Sequence, residues 1–219
     1  MTLTTEPWQL EQPVGHDELL IDRYLPEYDF TIVEFGKVEA PAPTTWQAAR
    51  NLDFMTIRSP LIDAAMFLRG IPERLGRTEP TEMPATMTLD GLVAASETGE
   101  SADGWVALGE QPGREFVFGA VGRFWQPDIE WRTVLPYAWR DFDEPGWGKL
   151  AANFFVQPYG GWRSTITYEA RTALYDADSR RRFKRYWTIV RPFVGTILRG
   201  ALNTIAKDAV TLERNRRRM

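Results

Sequence analysis

The chain has 219 residues, 43 % hydrophobic and 26 % charged, which is enough apolar side chain to bury a core and excludes a disordered polyelectrolyte. Nine Trp, twelve Phe and seven Tyr stand beside one His and no Cys, so disulfides, thiolate nucleophiles, Fe–S clusters, cysteine-based zinc sites and HExxH or three-His metal sites within one chain are ruled out. The net charge of −4 conceals a division: residues 180–219 carry +10 and residues 1–179 carry −14, an asymmetry produced either by a contact with nucleic acid or membrane or by a basic helix lying across an acidic body.

Residues 1–28, with Pro7, Pro13, Gly15 and Pro26, hold no sustained period and read as an N-terminal extension without the basic start and apolar run of a signal peptide. No apolar run reaches the roughly 20 residues that span a bilayer, and a cytoplasmic protein is expected. The segment Asp29 to Val38 is β-branched and aromatic and predicts a first strand stopped by "EAPAP". Thr44 or Thr45 is positioned to cap a short helix through Trp46, Ala48 and Ala49. Ser59 and Pro60 open a second helix running to Leu68. Residues 76–104 read partly as loop, in the manner of an insertion.

Strand-like runs bounded by turn residues follow at Trp105 to Glu110, Arg114 to Trp125, Trp131 to Leu135, Ala151 to Gln157 and Trp162 to Tyr175, as in an antiparallel meander. The last alternates most cleanly, with Ser164, Ile166, Tyr168, Ala170, Thr172 and Leu174 on a buried face, and Thr165, Thr167, Glu169 and Arg171 on a wet one. Asp176 or Asp178 then caps a long helix whose apolar positions Phe183, Trp187, Val190, Val194, Ile197, Ala201 and Ile205 recur every three or four residues, with Pro192 predicting a kink. Residues 29–213 are expected to form one domain, and residues 214–219 a basic tail.

One strand, two short helices, a meander and a long amphipathic helix resemble the helix-grip fold of the START-like (SRPBCC) superfamily, which includes polyketide cyclase/dehydrase-like and lipid-transfer proteins. "VEAPAPTTWQAA", "VGRFW", "FDEPGWGKLAANFFVQPYGG" and "RRRFKRYWTIVRPFVGTILR" carry the likeness over roughly residues 29 to 210. The resemblance implies an α+β fold in which a curved antiparallel sheet wraps around the C-terminal helix, with a cavity between them for an apolar or aromatic small molecule. It implies neither cofactor nor metal.

The strand and helix phases give Phe116, Phe118, Phe124, Phe154, Ile166, Tyr168, Trp187, Val190 and Val194 as walls either of that cavity or of an ordinary core. Arg123, Asn153 and Tyr168 are candidates to polarise a carbonyl. By strict alternation Arg123 faces opposite Phe124, which favours a surface or ion-paired arginine unless Gly119 or Gly122 introduces a bulge that resets the phase, and Asn153 reads equally as a polar group bonded within the protein. His16 lies in the irregular N-terminal segment, and Asp141, Asp143 and Glu144 precede a Pro-Gly turn, which favours solvated positions over acid/base or Mg²⁺ chemistry. The aromatics of "RRRFKRYW" fall on the buried helix stripe, so a nucleic-acid partner is not expected. The function expected is a binding or carrier module, with a metal-free cyclase/dehydratase acting in the same cavity as the alternative. The sequence leaves the oligomeric state open.

Overall fold

The computed structural model describes residues 18–53, 88–98, 104–126 and 128–218. In chain order these form α1 (Leu20–Tyr24), β1 (Phe30–Val38), α2 (Ala42–Arg50), α3 (Leu89–Thr98), β2 (Trp105–Gln111), β3 (Glu115–Gly122), β4 (Trp131–Arg132), a 3₁₀ turn (Pro136–Ala138), β5 (Gly148–Tyr159), β6 (Arg163–Leu174) and α4 (Ala177–Arg216). The expected helix over Ser59–Leu68 lies outside the described residues. Within the stretch read partly as loop, residues 89–98 are helical: Leu89 and Leu92 reach the core on one side of a single turn repeat, a pattern too short to stand out in the sequence.

The strands form an antiparallel sheet in the order β1-β6-β5-β3-β2, with β4 beside β3. β1 closes on the last strand, in register from Phe30 opposite Thr172 to Val38 opposite Ser164. The curved sheet and long C-terminal helix make this a helix-grip fold. α4 begins where Asp176 accepts the Ser179 amide at 2.8 Å, so of the two aspartates considered as caps the structure uses Asp176. The helix then continues through Pro192 to its last turns. Thr44 and Thr45 do not cap α2, contrary to the expectation above. The helix starts earlier, at Ala42 after the extended Pro41, with Pro43 in its first turn, where a fixed backbone angle and a missing N–H are tolerated, and both threonines are buried inside it.

Each face of the sheet carries its own core. On the inner face Phe116, Phe118, Phe154, Ile166 and Tyr168 pack with α2 and with Leu198, Leu202 and Ile205 of α4. On the outer face Val117, Val121, Ala151 and Ala173 pack under Leu20, Ile21 and Leu25 and under Trp139 and Phe142 of the segment between β4 and β5. Gly119 makes that covering possible: a Cβ there would sit 2.5 Å from the Trp139 ring and 2.7 Å from the Leu150 carbonyl oxygen.

The outer face of β6 is therefore not uniformly wet, as alternation suggested. Glu169 and Arg171 are buried, with Arg171 bonded to Glu169 at 2.6 Å, to Asp22 at 2.7 Å and to the Leu25 carbonyl. Charged residues cannot announce burial by alternation when a segment far away in sequence supplies their partners.

Candidate functional site

The inner face of the sheet is an aromatic wall. Alternation puts Phe116 and Phe118 of β3 and Phe154 of β5 on one side, and the β3–β5 register sets Phe116 opposite Phe154. Phe154 in turn faces Tyr168 of β6. Ring centroids lie 4.4 Å apart for Phe154 and Tyr168, 6.0 Å for Phe118 and Phe154, and 6.2 Å for Phe118 and Tyr168, within the range of favourable aromatic contact. Trp105 of β2 extends the row, 5.7 Å from Phe118. Sequence reasoning did not single it out, although its phase with Ala107 on β2 places it on this face.

Tyr168 brings a polar atom to the wall. Burial alone pushes its phenol above the usual range, and no hydrogen bond to the hydroxyl is found among the described residues. The group therefore stays protonated at neutral pH, the form that can donate a hydrogen bond.

On α4, Trp187 and Val194 pack against the inner core, as their spacing predicted, and like Val190 they are only half-buried. From Tyr186 to Val194 no residue of this helix is buried, whereas Gly195, Leu198, Ala201, Leu202 and Ile205 close against the inner core further along. Leu198 and Leu202 were not among the residues predicted to line the site. Their phase follows from the same stripe one turn later.

Phe124 belongs to a neighbouring cluster rather than the wall. It packs with Leu174 and Phe183, and Trp187 stacks on Phe183 at 5.8 Å between that cluster and the inner core. Arg123 lies outside the concave face. Its Nε donates to the Gly146 carbonyl at 3.1 Å, Nη1 pairs with Glu130 at 2.7 Å, and its guanidinium lies over Trp147. No reset of the strand phase brings it inward, because β3 ends at Gly122.

Asn153 lies on the other face of β5 from Phe154. It is 1 % exposed, donates to Glu115 at 2.6 Å and accepts the Glu169 amide at 3.3 Å. Glu115 also accepts the Leu20 and Ile21 amides, and burial raises its pKa despite these bonds. Asn153 and Glu115 thus fasten α1 to the sheet. Asp141, Asp143 and Glu144 are exposed, Glu144 pairing with Arg132, and no cluster able to hold a metal occurs among the described residues. His16 lies outside them.

Lys149, unremarked in the sequence, is 3 % exposed on the outer face and donates to the carbonyls of Trp139, Arg140 and Phe142 at 3.0, 3.3 and 2.9 Å. Burial lowers its ammonium to about 8, partly opposed by Asp143 and Asp141. All three donors are engaged, so this lysine ties down the outer covering rather than presenting a free amine.

Among the described residues, two of the openings border the inner core. A groove of about 530 Å³ lies between the first turn of α2 and two hairpin ends, with Pro43, Arg114, Val156 and Pro158 on its walls. A narrower one of about 160 Å³ runs between β1 and α4, where Gly36 leaves space above Ile166 and the Glu34–Arg199 ion pair stands at the side.

This architecture, a curved antiparallel sheet around a long C-terminal helix, is a helix-grip fold. No family model matches the chain, and no curated protein matches it. Among solved structures it is similar to norcoclaurine synthase from Thalictrum flavum, at 13 % identity over 94 % of this chain and 99 % of that one, with a TM-score of 0.41. It is also similar to the ZhuI aromatase/cyclase of a Streptomyces species, at 11 % identity over 82 % and 93 %, with a TM-score of 0.34. A third is CalU16 from Micromonospora echinospora, at 12 % identity over 84 % and 86 %, with a TM-score of 0.26.

Proposed function

We propose that the protein binds an apolar or aromatic small molecule between the inner face of its sheet and the first half of α4. The observation that carries this reading is an aromatic wall on the sheet covered from α4 by Trp187 and Val194, which pack against the inner core yet stay only partly buried. A tightly filled core buries both partners, whereas a helix half that stays partly exposed marks the side from which a ligand would enter against the wall. The Tyr168 hydroxyl would orient a ligand that carries an oxygen acceptor, and the rings around it supply apolar contact.

The alternative reading, a cyclase or dehydratase acting on a polyketide-like substrate, draws on the same hydroxyl. A phenol held protonated can polarise a carbonyl, with the walls folding the chain and excluding water. Of the three side chains suggested for that task by sequence, Tyr168 is the one on the aromatic wall.

Titration with 8-anilinonaphthalene-1-sulfonate, followed by native mass spectrometry of protein incubated with aromatic polyketides, tests both readings. The binding reading expects saturable one-to-one uptake of dye, competition by the aromatic compounds, and recovery of those compounds unchanged. Conversion of a bound compound that is lost in Tyr168→Phe would move the protein to the enzyme class. Absence of any uptake would overturn both.

A further inference from the structure

The two ends of the molecule differ in chemistry. At one of them, three separate parts of the chain bring aromatic and cationic side chains together. The β5–β6 hairpin turns at Gly160 and Gly161, with Gly160 at φ +67°, and carries Tyr159 and Trp162, which are 43 % and 49 % exposed. Lys37 lies over the Tyr159 ring at 5.3 Å, and the Arg163 guanidinium lies against both aromatics at 5.4 and 5.5 Å. Behind the tip, on the outer face of β1, Phe35 is 74 % exposed.

The last turns of α4 arrive at the same end. Arg216 donates to Thr44 and Gln47 of α2 at 3.2 and 2.6 Å, and Thr45 of α2 bonds to Ser164, the residue after Arg163, at 2.7 Å. The run Arg216, Arg217 and Arg218 is thereby placed beside the hairpin tip. Among the described acids at this end, Glu213 is paired with Arg217 and Glu39 is exposed just after β1.

We propose that this hairpin end docks on the surface of an anionic phospholipid bilayer. Trp and Tyr flanked by Lys and Arg suit the headgroup layer, where the rings enter the interface and the cations meet lipid phosphates. The basic end is complementary in charge to such a surface, and the exposed apolar side chains have something to gain from it. A polyanion such as RNA would satisfy the cations and leave Phe35 bare, which is why the bilayer is favoured. The groove at Pro43 and Val156 opens at this same end, facing the proposed surface. Docking is independent of what the aromatic wall binds.

Co-sedimentation of the full-length protein with vesicles provides the test. Vesicles of equimolar phosphatidylcholine and phosphatidylserine are compared with phosphatidylcholine alone. The proposal expects partitioning onto the anionic vesicles only, weakened by added salt. Lys37→Gln and Arg218→Gln should each weaken it about five-fold, following the contribution of one cation near a charged membrane. Tyr159→Ala with Trp162→Ala should weaken it several-fold while leaving the melting temperature and dye uptake as they were.

The proposal is overturned by equal binding to both vesicle types, or by anionic binding that survives loss of both aromatics. A vesicle-inert protein that instead retards poly(U) identifies a polyanion site. A dimer in sedimentation that dissociates on the aromatic substitutions identifies a second copy as the occupant. Either result also overturns it.

Discussion

At Tyr168 the hydroxyl separates the proposed role in binding from the ring's role in folding. Its ring is part of the inner core, but no hydrogen bond to its oxygen is found among the described residues. Tyr168→Phe is therefore expected to change folding stability by less than about 0.5 kcal/mol. The same variant should weaken a ligand with an oxygen acceptor by about 1 kcal/mol, roughly five-fold, as read by parallel denaturant melts and binding titrations.

Asp176 gives the reverse case, a residue with a role in folding alone. Its carboxylate accepts from the Ser179 hydroxyl and amide and from the Gly146 amide, which holds its pKa at about 2, below the ordinary 3.8. A pKa lowered by folding means that the carboxylate stabilises the native state above the ordinary value and loses that contribution as pH falls through 3.8 toward 2. Asp176→Ala should cost about 1 kcal/mol at neutral pH. The gap between variant and parent should close across that acid range, and a constant gap in acid melts would refute this account.

Among elements, α1 owes its position to charge more than to length. Five residues make a marginal helix in isolation. Here two of its amides are taken by Glu115, Asp22 pairs with Arg171, and Leu20 and Ile21 enter the outer core. Arg171→Met removes the cation while leaving Glu169 buried without its partner. A loss of about 3–5 kcal/mol is expected, since breaking a buried pair costs more than never having built it. Hydrogen exchange should show the amides of Leu20 and Ile21 opening first. If they stay protected in a destabilised variant, the ion pair does not hold α1.

At the scale of the whole molecule, the sheet is covered unequally on its two sides. The outer face is closed by α1 and the Trp139 segment over β2, β3 and β5, while Phe35 and Val33 on β1 remain exposed. On the inner face, α4 closes tightly from Leu198 onward and only partly before Gly195. An aromatic compound bound as proposed should raise stability by about 2.7 kcal/mol at a hundred-fold excess over its dissociation constant. A thermal shift that rises with concentration and is reduced in Phe154→Ala would locate that compound at the wall. A shift unchanged in that variant would place it elsewhere.

The meander, the long capped helix and the inward phases of Phe116, Phe118, Phe154, Ile166 and Tyr168 were legible in the chain, because apolar residues at periods of 2 and 3.6 have only one way to leave water in a sheet or a helix. Resemblance to START-like proteins added the expectation that such a helix lies in the grip of the sheet. Periodicity cannot tell which face a polar residue shares, and so Asn153, Glu169 and Arg171 were misjudged or left open. Their burial depends on α1 lying across them from more than a hundred positions earlier in the chain.

The sequence also contained the +10 segment and the many aromatics without saying where either would gather. Tertiary structure brought the end of α4, the start of α2 and the β5–β6 hairpin together. It also fixed which aromatics became a wall and which became an exposed tip. Local pattern determines the elements, since each residue's exposure is set by its neighbours in the same turn or strand. The partners across space were decided only by folding, because the free energy of a buried charge or an open groove belongs to groups the chain keeps far apart.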